Sequence, residues 1–200
     1  MRPGEGATLW FTGLPASGKS TIAREVFHRL TERGVAAELL DGAEVRESLS
    51  RGLGFSREDR EAHVRRMGYV AKLLSRNGVV AICVAVSPYR ATREEVRRNT
   101  TRFVEVFVDC PVEEAERRDR DAYSRARAGE IPEFTGVSAP YEPPETPEVH
   151  IRSEQESATE AALKVVQTLE LLGIVAPDAA SERHAQEEDI RRRLAALGYL

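Results

Sequence analysis

Two hundred residues with 41% apolar and 31% charged side chains are enough for one compact domain with a core of its own. No apolar run approaches the ~18–20 residues of a membrane span, and a net charge of −4 argues against a nucleic-acid binder. The first six residues lack the apolar stretch of a secretory signal, and Cys83 and Cys110 both sit in apolar runs, so reduced thiols in a cytoplasmic protein are expected.

Residues 7–12, with Trp10 and Phe11, form an apolar run that predicts a first strand. A glycine-rich turn follows, then a helix over 18–33 with Ile22, Val26, Phe27 and Leu30 on one face and Gly34 as its stop. Residues 35–40 predict a second strand ending at Asp41-Gly42, before a short helix over 43–50 and a loop over 51–55. Ser56 and Asp59 have the spacing of a capping box and open a helix over 57–76. The unbroken apolar run 79–86 reads as a strand buried on both faces. A helix over 92–100, a strand over 103–108 and one highly charged helix over 112–128 come next. Five prolines between 129 and 147 make that stretch loop, and a short strand over 149–151 precedes a helix over 153–172. This alternation predicts an α/β fold of three layers, a mostly parallel five-stranded sheet with helices on both faces. The main unit spans 1–175. Residues 176–200 are read as a linker and a charged tail helix over 182–197, whose narrow Ile190, Leu194 and Leu197 stripe needs a docking surface.

The strongest chemical signal lies between the first strand and the first helix. Gly13, Leu14, Pro15, Ala16, Ser17, Gly18, Lys19 and Ser20 spell G-x-x-x-x-G-K-[ST] in full, with Thr21 continuing into the helix. Glycines let backbone N–H groups close around a phosphate chain, and the helix N-terminus adds positive potential. Lys19 is expected to neutralise the β- and γ-phosphates of ATP, and Ser20 to ligate Mg²⁺. A P-loop alone does not separate a GTPase, a motor and a small-molecule kinase. The short chain, the absence of an N-K-x-D segment and a proline-rich stretch suited to covering a water-excluded site favour the kinase.

Other segments add to this. They are Leu40-Asp41-Gly42 with Val45-Arg46, the run 53–60 around Phe55, Ser87-Pro88-Tyr89-Arg90, residues 105–109, residues 126–131, Phe134-Thr135-Gly136 and Pro140-Tyr141-Glu142. From residue 13 to residue 151 the sequence resembles the adenylylsulfate kinase (APS kinase) family in the order of these pieces. The resemblance implies a P-loop NTPase fold and transfer of the γ-phosphate of ATP to the 3′-hydroxyl of adenosine 5′-phosphosulfate (APS), giving PAPS and ADP in sulfate assimilation. It implies that Asp41 faces the transferring phosphate and Mg²⁺ and orients the acceptor hydroxyl or takes its proton. Asp41-Gly42 also has the form of a turn with an N-cap duty. Arg46 and Arg60 are implied to hold the phosphosulfate, and Phe55 and Phe134 to stack on the acceptor's adenine, with loop packing as the plainer alternative for both rings. Ser87, at a strand's carboxyl end, is implied to contact substrate and is counted with Lys19 and Asp41 in the catalytic set. The family's homodimers make a homodimer the expected state, with nucleotides as partners and neither nucleic acid nor membrane.

The sequence departs from the family's pattern mainly on the acceptor side. Ala43 stands where the family carries a second Asp, and His63 where it carries Asn. Ser50 and Gly52 replace an Asn and an acidic residue, Pro132-Glu133 replace Lys-Gly, and the segment 118–123 is one residue shorter. His63 is either a solvated helix residue or part of the acceptor pocket, and is counted with the acceptor set. The departures leave two further readings: a kinase for another nucleotide-linked or small alcohol acceptor, and a non-catalytic nucleotide-binding module.

Overall fold

In the computed structural model, which describes residues 6–177, five strands form one wholly parallel sheet. They are β1 (Ala7–Thr12), β2 (Ala37–Asp41), β3 (Val80–Val84), β4 (Phe103–Asp109) and β5 (Val149–Arg152), in the order β2-β3-β1-β4-β5. The helices are α1 (Lys19–Glu32), α2 (Gly42–Glu47), α3 (Arg57–Arg76), α4 (Arg90–Asn99), α5 (Val112–Arg118), α6 (Arg120–Arg127) and α7 (Ala158–Leu171).

Alternation along β1 decides the layers, because successive side chains leave a strand on opposite faces. Leu9 and Phe11 point to one side and join Ile22, Val26 and Leu30 of α1 and Val165 and Leu169 of α7. Trp10 points to the other side and packs with Val64 and Met67 of α3 and Val96 of α4. Gly68 lets α3 and α4 cross closely, since a Cβ there would lie 2.8 Å from Val96 Cγ2. The parallel arrangement puts the carboxyl ends of all five strands on one edge, where open α/β sheets bind ligands. The phosphate-loop motif leaves β1 at that edge.

The expected elements form with local changes. The predicted helix over 112–128 is broken into α5 and α6 at Asp119, which leaves helical geometry (φ −135°, ψ 71°) and caps α6 by accepting from Ala122 N at 3.2 Å. The predicted helix over 153–172 starts later, at Ala158, because a reciprocal Ser157–Glu160 capping box fixes its first turn. The box expected at Ser56 forms only by half. Ser56 Oγ accepts from Asp59 N, while the Asp59 carboxylate accepts from Gly54 N at 3.0 Å and ties down the preceding loop. Both cysteines are free and buried, and burial pushes the Cys83 thiol far above its usual range. Among the described residues no helix is long and apolar enough to cross a membrane. The expected tail helix over 182–197 lies outside the described residues.

Candidate active site

The phosphate loop is shaped by backbone conformations that few residues tolerate. Gly13 takes φ 148° with no room for a Cβ, which would meet Val108 O at 2.4 Å. Gly18 takes φ 98° as the N-cap of α1 and offers no side-chain cap. The first-turn amides of α1 are therefore free of a capping side chain, and no acidic residue competes there for an anion. Lys19 is buried. Its Nζ donates to Leu14 O at 2.6 Å and to Ser17 Oγ at 3.2 Å, curling the loop around itself. Burial lowers its pKa to about 8, against the pull of Asp41 and Cys110.

Two cavities open on this edge and share Lys19 and Ser20. The larger, about 650 Å³, runs from Ala16 through Thr21 to Arg118, Ser153 and Ser157. The smaller, about 310 Å³, runs from Lys19 under Asp41, Arg46, Phe55, Arg60 and His63 to Ser87. Every residue predicted for the acceptor side lines it except Phe134. That ring packs edge-on against Tyr123 with centroids 4.9 Å apart, beside Cys110.

Asp41 lines the smaller cavity and performs the expected N-cap duty. One carboxylate oxygen accepts from Ala43 N at 3.1 Å and caps α2, and the other lies 3.6 Å from Arg24 Nη2. Gly42 permits this approach, since a Cβ there would lie 2.7 Å from Val84 O and 3.3 Å from His63 Nε2. Arg46 and Arg60 lie over the half-exposed Phe55 ring, at 4.6 and 5.3 Å from its centroid. Arg46 donates to Gly54 O; Arg60 donates to Phe55 O and, at 2.6 Å, to Glu133 O in the proline-rich loop. Burial, then repulsion from Arg60, lowers the Arg46 pKa, and burial does the same for Arg60. Two guanidiniums bonded to carbonyls rather than carboxylates make a cationic surface suited to an anion.

His63 is not a solvated helix residue. It is buried, with Nδ1 2.9 Å from Ser50 Oγ, and burial followed by repulsion from Arg46, Arg66 and Arg60 lowers its pKa to about 4. Two departures from the expected pattern, Ser50 and His63, are thus direct partners. Ser87, at φ 40°, accepts from Trp10 Nε1 and donates to Thr12 Oγ1, each at 3.0 Å.

A hydroxyl and a carboxylate, Ser20 and Asp41, line the cavity beside Lys19, a hard-oxygen pair that suits Mg²⁺ arriving on phosphate oxygens. Among the described residues no group of three His, Cys, Asp or Glu side chains could hold a metal alone. Sequence reading missed Arg118, whose guanidinium bonds Ser17 O, Ser153 O and Ser153 Oγ and so walls the larger cavity. The helix break at Asp119 that turns it there carried a signal, an Asp at N-cap spacing inside a charged run.

The family model described as adenylylsulphate kinase matches residues 5–152. An adenylyl-sulfate kinase of Picosynechococcus sp. is 51% identical over 173 residues, 86% of this chain and 98% of its own length. One of Halothermothrix orenii is 47% identical over 176 residues, 88% of this chain and 95% of its own. The structure of the Mycobacterium tuberculosis APS kinase CysC in complex with AMPPNP and APS superposes with a TM-score of 0.81 at 41% identity, covering 84% of this chain and 99% of that one.

Proposed function

The chain belongs to the adenylylsulphate kinase family, and from that premise we propose how its two cavities divide the work. The chain is an ATP-dependent adenylyl-sulfate kinase that makes PAPS and ADP from ATP and APS, with Mg²⁺. The larger cavity takes the nucleoside end of ATP, and Gly13 to Thr21 cradle its phosphates. The smaller cavity takes APS. The observation that carries this division is that the two cavities meet only at Lys19 and Ser20, where the γ-phosphate must pass from one substrate to the other.

Each side chain then has a physical task. Lys19 places a buried charge on the transferring phosphoryl group, where a water-poor setting strengthens it. Ser20 and Asp41 would hold Mg²⁺, which supplies neutralisation of the phosphate charge when bound. Asp41, which lines the smaller cavity with Lys19 and Ser20, orients the ribose hydroxyl and takes its proton as the new P–O bond forms. Arg46 and Arg60 hold the phosphosulfate oxygens, and Phe55 offers a ring face to adenine, a contact worth ~1–3 kcal/mol. His63 and Ser87 line the far wall. Phe134 packs edge-on against Tyr123 and lies outside the lining of the smaller cavity. The catalytic unit is residues 1–175, and the same reading places the enzyme in the cytoplasm as a homodimer; a relative from Thiobacillus denitrificans is described as hexameric.

The test is Asp41→Asn followed by ADP release with APS. Turnover should fall ~10²-fold or more while KM for ATP stays within about threefold, because the change acts on the acceptor and the metal rather than on the phosphate cradle. Equal losses in both would reduce Asp41 to its capping bond.

A further inference from the structure

Arg93 is among the largest fully buried side chains, 1% exposed, and it carries a charge. A buried guanidinium persists only with its donors matched. Its Nε donates to Glu105 Oε1, its Nη1 to Ser87 O and its Nη2 to Glu142 O, all at 2.7 Å. Glu105 is its carboxylate partner and also pairs with Arg97 at 3.2 Å. The other two partners belong to the wall of the acceptor cavity and to the returning arm of the proline-rich loop. That arm is fastened again where Glu142 N donates to Pro88 O and Arg90 N donates to the Glu142 carboxylate.

A second set of bonds joins the wall and the arm to the end of β1. Thr12 Oγ1 donates its only proton to Val86 O at 2.8 Å, so Ser87 Oγ and the Tyr141 hydroxyl must both donate to Thr12. Ser87 Oγ, having given its proton, accepts from Trp10 Nε1. Thr12 directly precedes Gly13, the first residue of the phosphate loop. The root of the cradle, the Ser87 wall and the Tyr141–Glu142 arm are therefore one hydrogen-bonded body. Ser87 keeps its left-handed backbone because its carbonyl is fixed by Arg93 and its hydroxyl by Trp10 and Thr12.

We infer that Arg93 is a positioning residue for phosphoryl transfer: from one guanidinium it sets the acceptor-cavity wall and the loop arm against the phosphate cradle. It touches neither substrate. Its effect is on alignment, and a misplacement near 1 Å can cost on the order of 10²-fold in rate. The inference rests on the assignment of the smaller cavity to the acceptor.

Arg93→Lys in the full chain tests it, because an ammonium keeps the charge opposite Glu105 but is a point donor that cannot serve both carbonyls. Well below the melting temperature, kcat should fall roughly tenfold or more and KM for APS should rise, while KM for ATP stays within about threefold. A lower melting temperature with unchanged kcat would make Arg93 a core residue only and overturn the inference. If the variant does not fold, Tyr141→Phe removes one hydroxyl from Thr12 while keeping the ring stacked on Phe107. It should lower kcat by about threefold or more at unchanged KM for ATP, and an unaltered kcat would overturn the inference. Arg46→Ala separates the two layers of the argument. If it leaves KM for APS unchanged, the cavity assignment itself fails, whatever Arg93→Lys does.

Discussion

The phosphate side and the acceptor side of this enzyme are built by opposite means. The cradle is eight consecutive residues shaped by their backbone: Gly13 holds a conformation and a space that a Cβ would spoil, and Gly18 holds a left-handed conformation. Of the cradle's side chains, Lys19 and Ser20 face the shared end of the two cavities. The acceptor cavity instead draws Asp41, Arg46, Phe55, Arg60 and Ser87 from separate segments, and works through side chains that meet only once the sheet and α3 have formed. A backbone site is local and rigid, so it tolerates little variation. A side-chain site is assembled by tertiary structure, so its residues can change in pairs. Ser50 and His63, in contact at 2.9 Å, are such a pair.

The largest expected effect falls where the two regions touch. Lys19→Ala should cut turnover by ~10²–10³-fold, since a buried charge at the transferring group is lost from both sides at once. A folded variant with near-normal ADP release would break the comparison outright. Ala43→Asp probes the acceptor side alone. Ala43 lines the cavity next to Asp41, and a carboxylate there adds an acceptor for the ribose hydroxyl or for metal-bound water. It should raise kcat/KM for APS on the order of tenfold and leave KM for ATP in place. A fall would show that the surrounding cavity is tuned to the methyl group.

The smallest effect is on stability and concerns His63. Its pKa in the fold is about 4, below the ordinary value of 6.5, so between these values the unfolded chain binds more protons than the folded one. The stability tied to the neutral imidazole is thus present above pH 6.5 and lost as the pH falls toward about 4. His63→Asn should flatten the melting temperature of the protein across that window relative to the parent. An identical slope in both would mean that His63 is solvated on the time scale of folding.

The same contrast explains what could be read from the chain alone. The strands announced themselves because β3 is apolar on both faces and β1 and β4 are largely apolar runs, and the cradle because its motif is contiguous and lies between a strand and a helix. Asp119 carried an N-cap signal, but it sat within a run of charges whose composition suits a continuous helix; its cap on Ala122 N and the bonds of Arg118 to Ser17 and Ser153 accompany the break. The first turn expected at Ser153 gave way to a better capping pair four residues on. His63 lies on a strongly charged helix and reads as exposed, yet the close approach that Gly42 allows turns it inward beside Ser50. Phe134 was placed by resemblance with the acceptor; the fold sets it edge-on against Tyr123, a contact with no local signal in the sequence. Arg93 had no local signal at all, because its three partners come from segments up to 49 residues away.

Lys19 has one more consequence. Burial lowers the pKa of its ammonium to about 8, so its charge is held less firmly than that of an exposed lysine. A polyphosphate laid across it favours the charged form. Nucleotide binding at mildly alkaline pH is then expected to take up hydrogen ions from the medium, and the heat of binding to vary with the ionisation heat of the buffer.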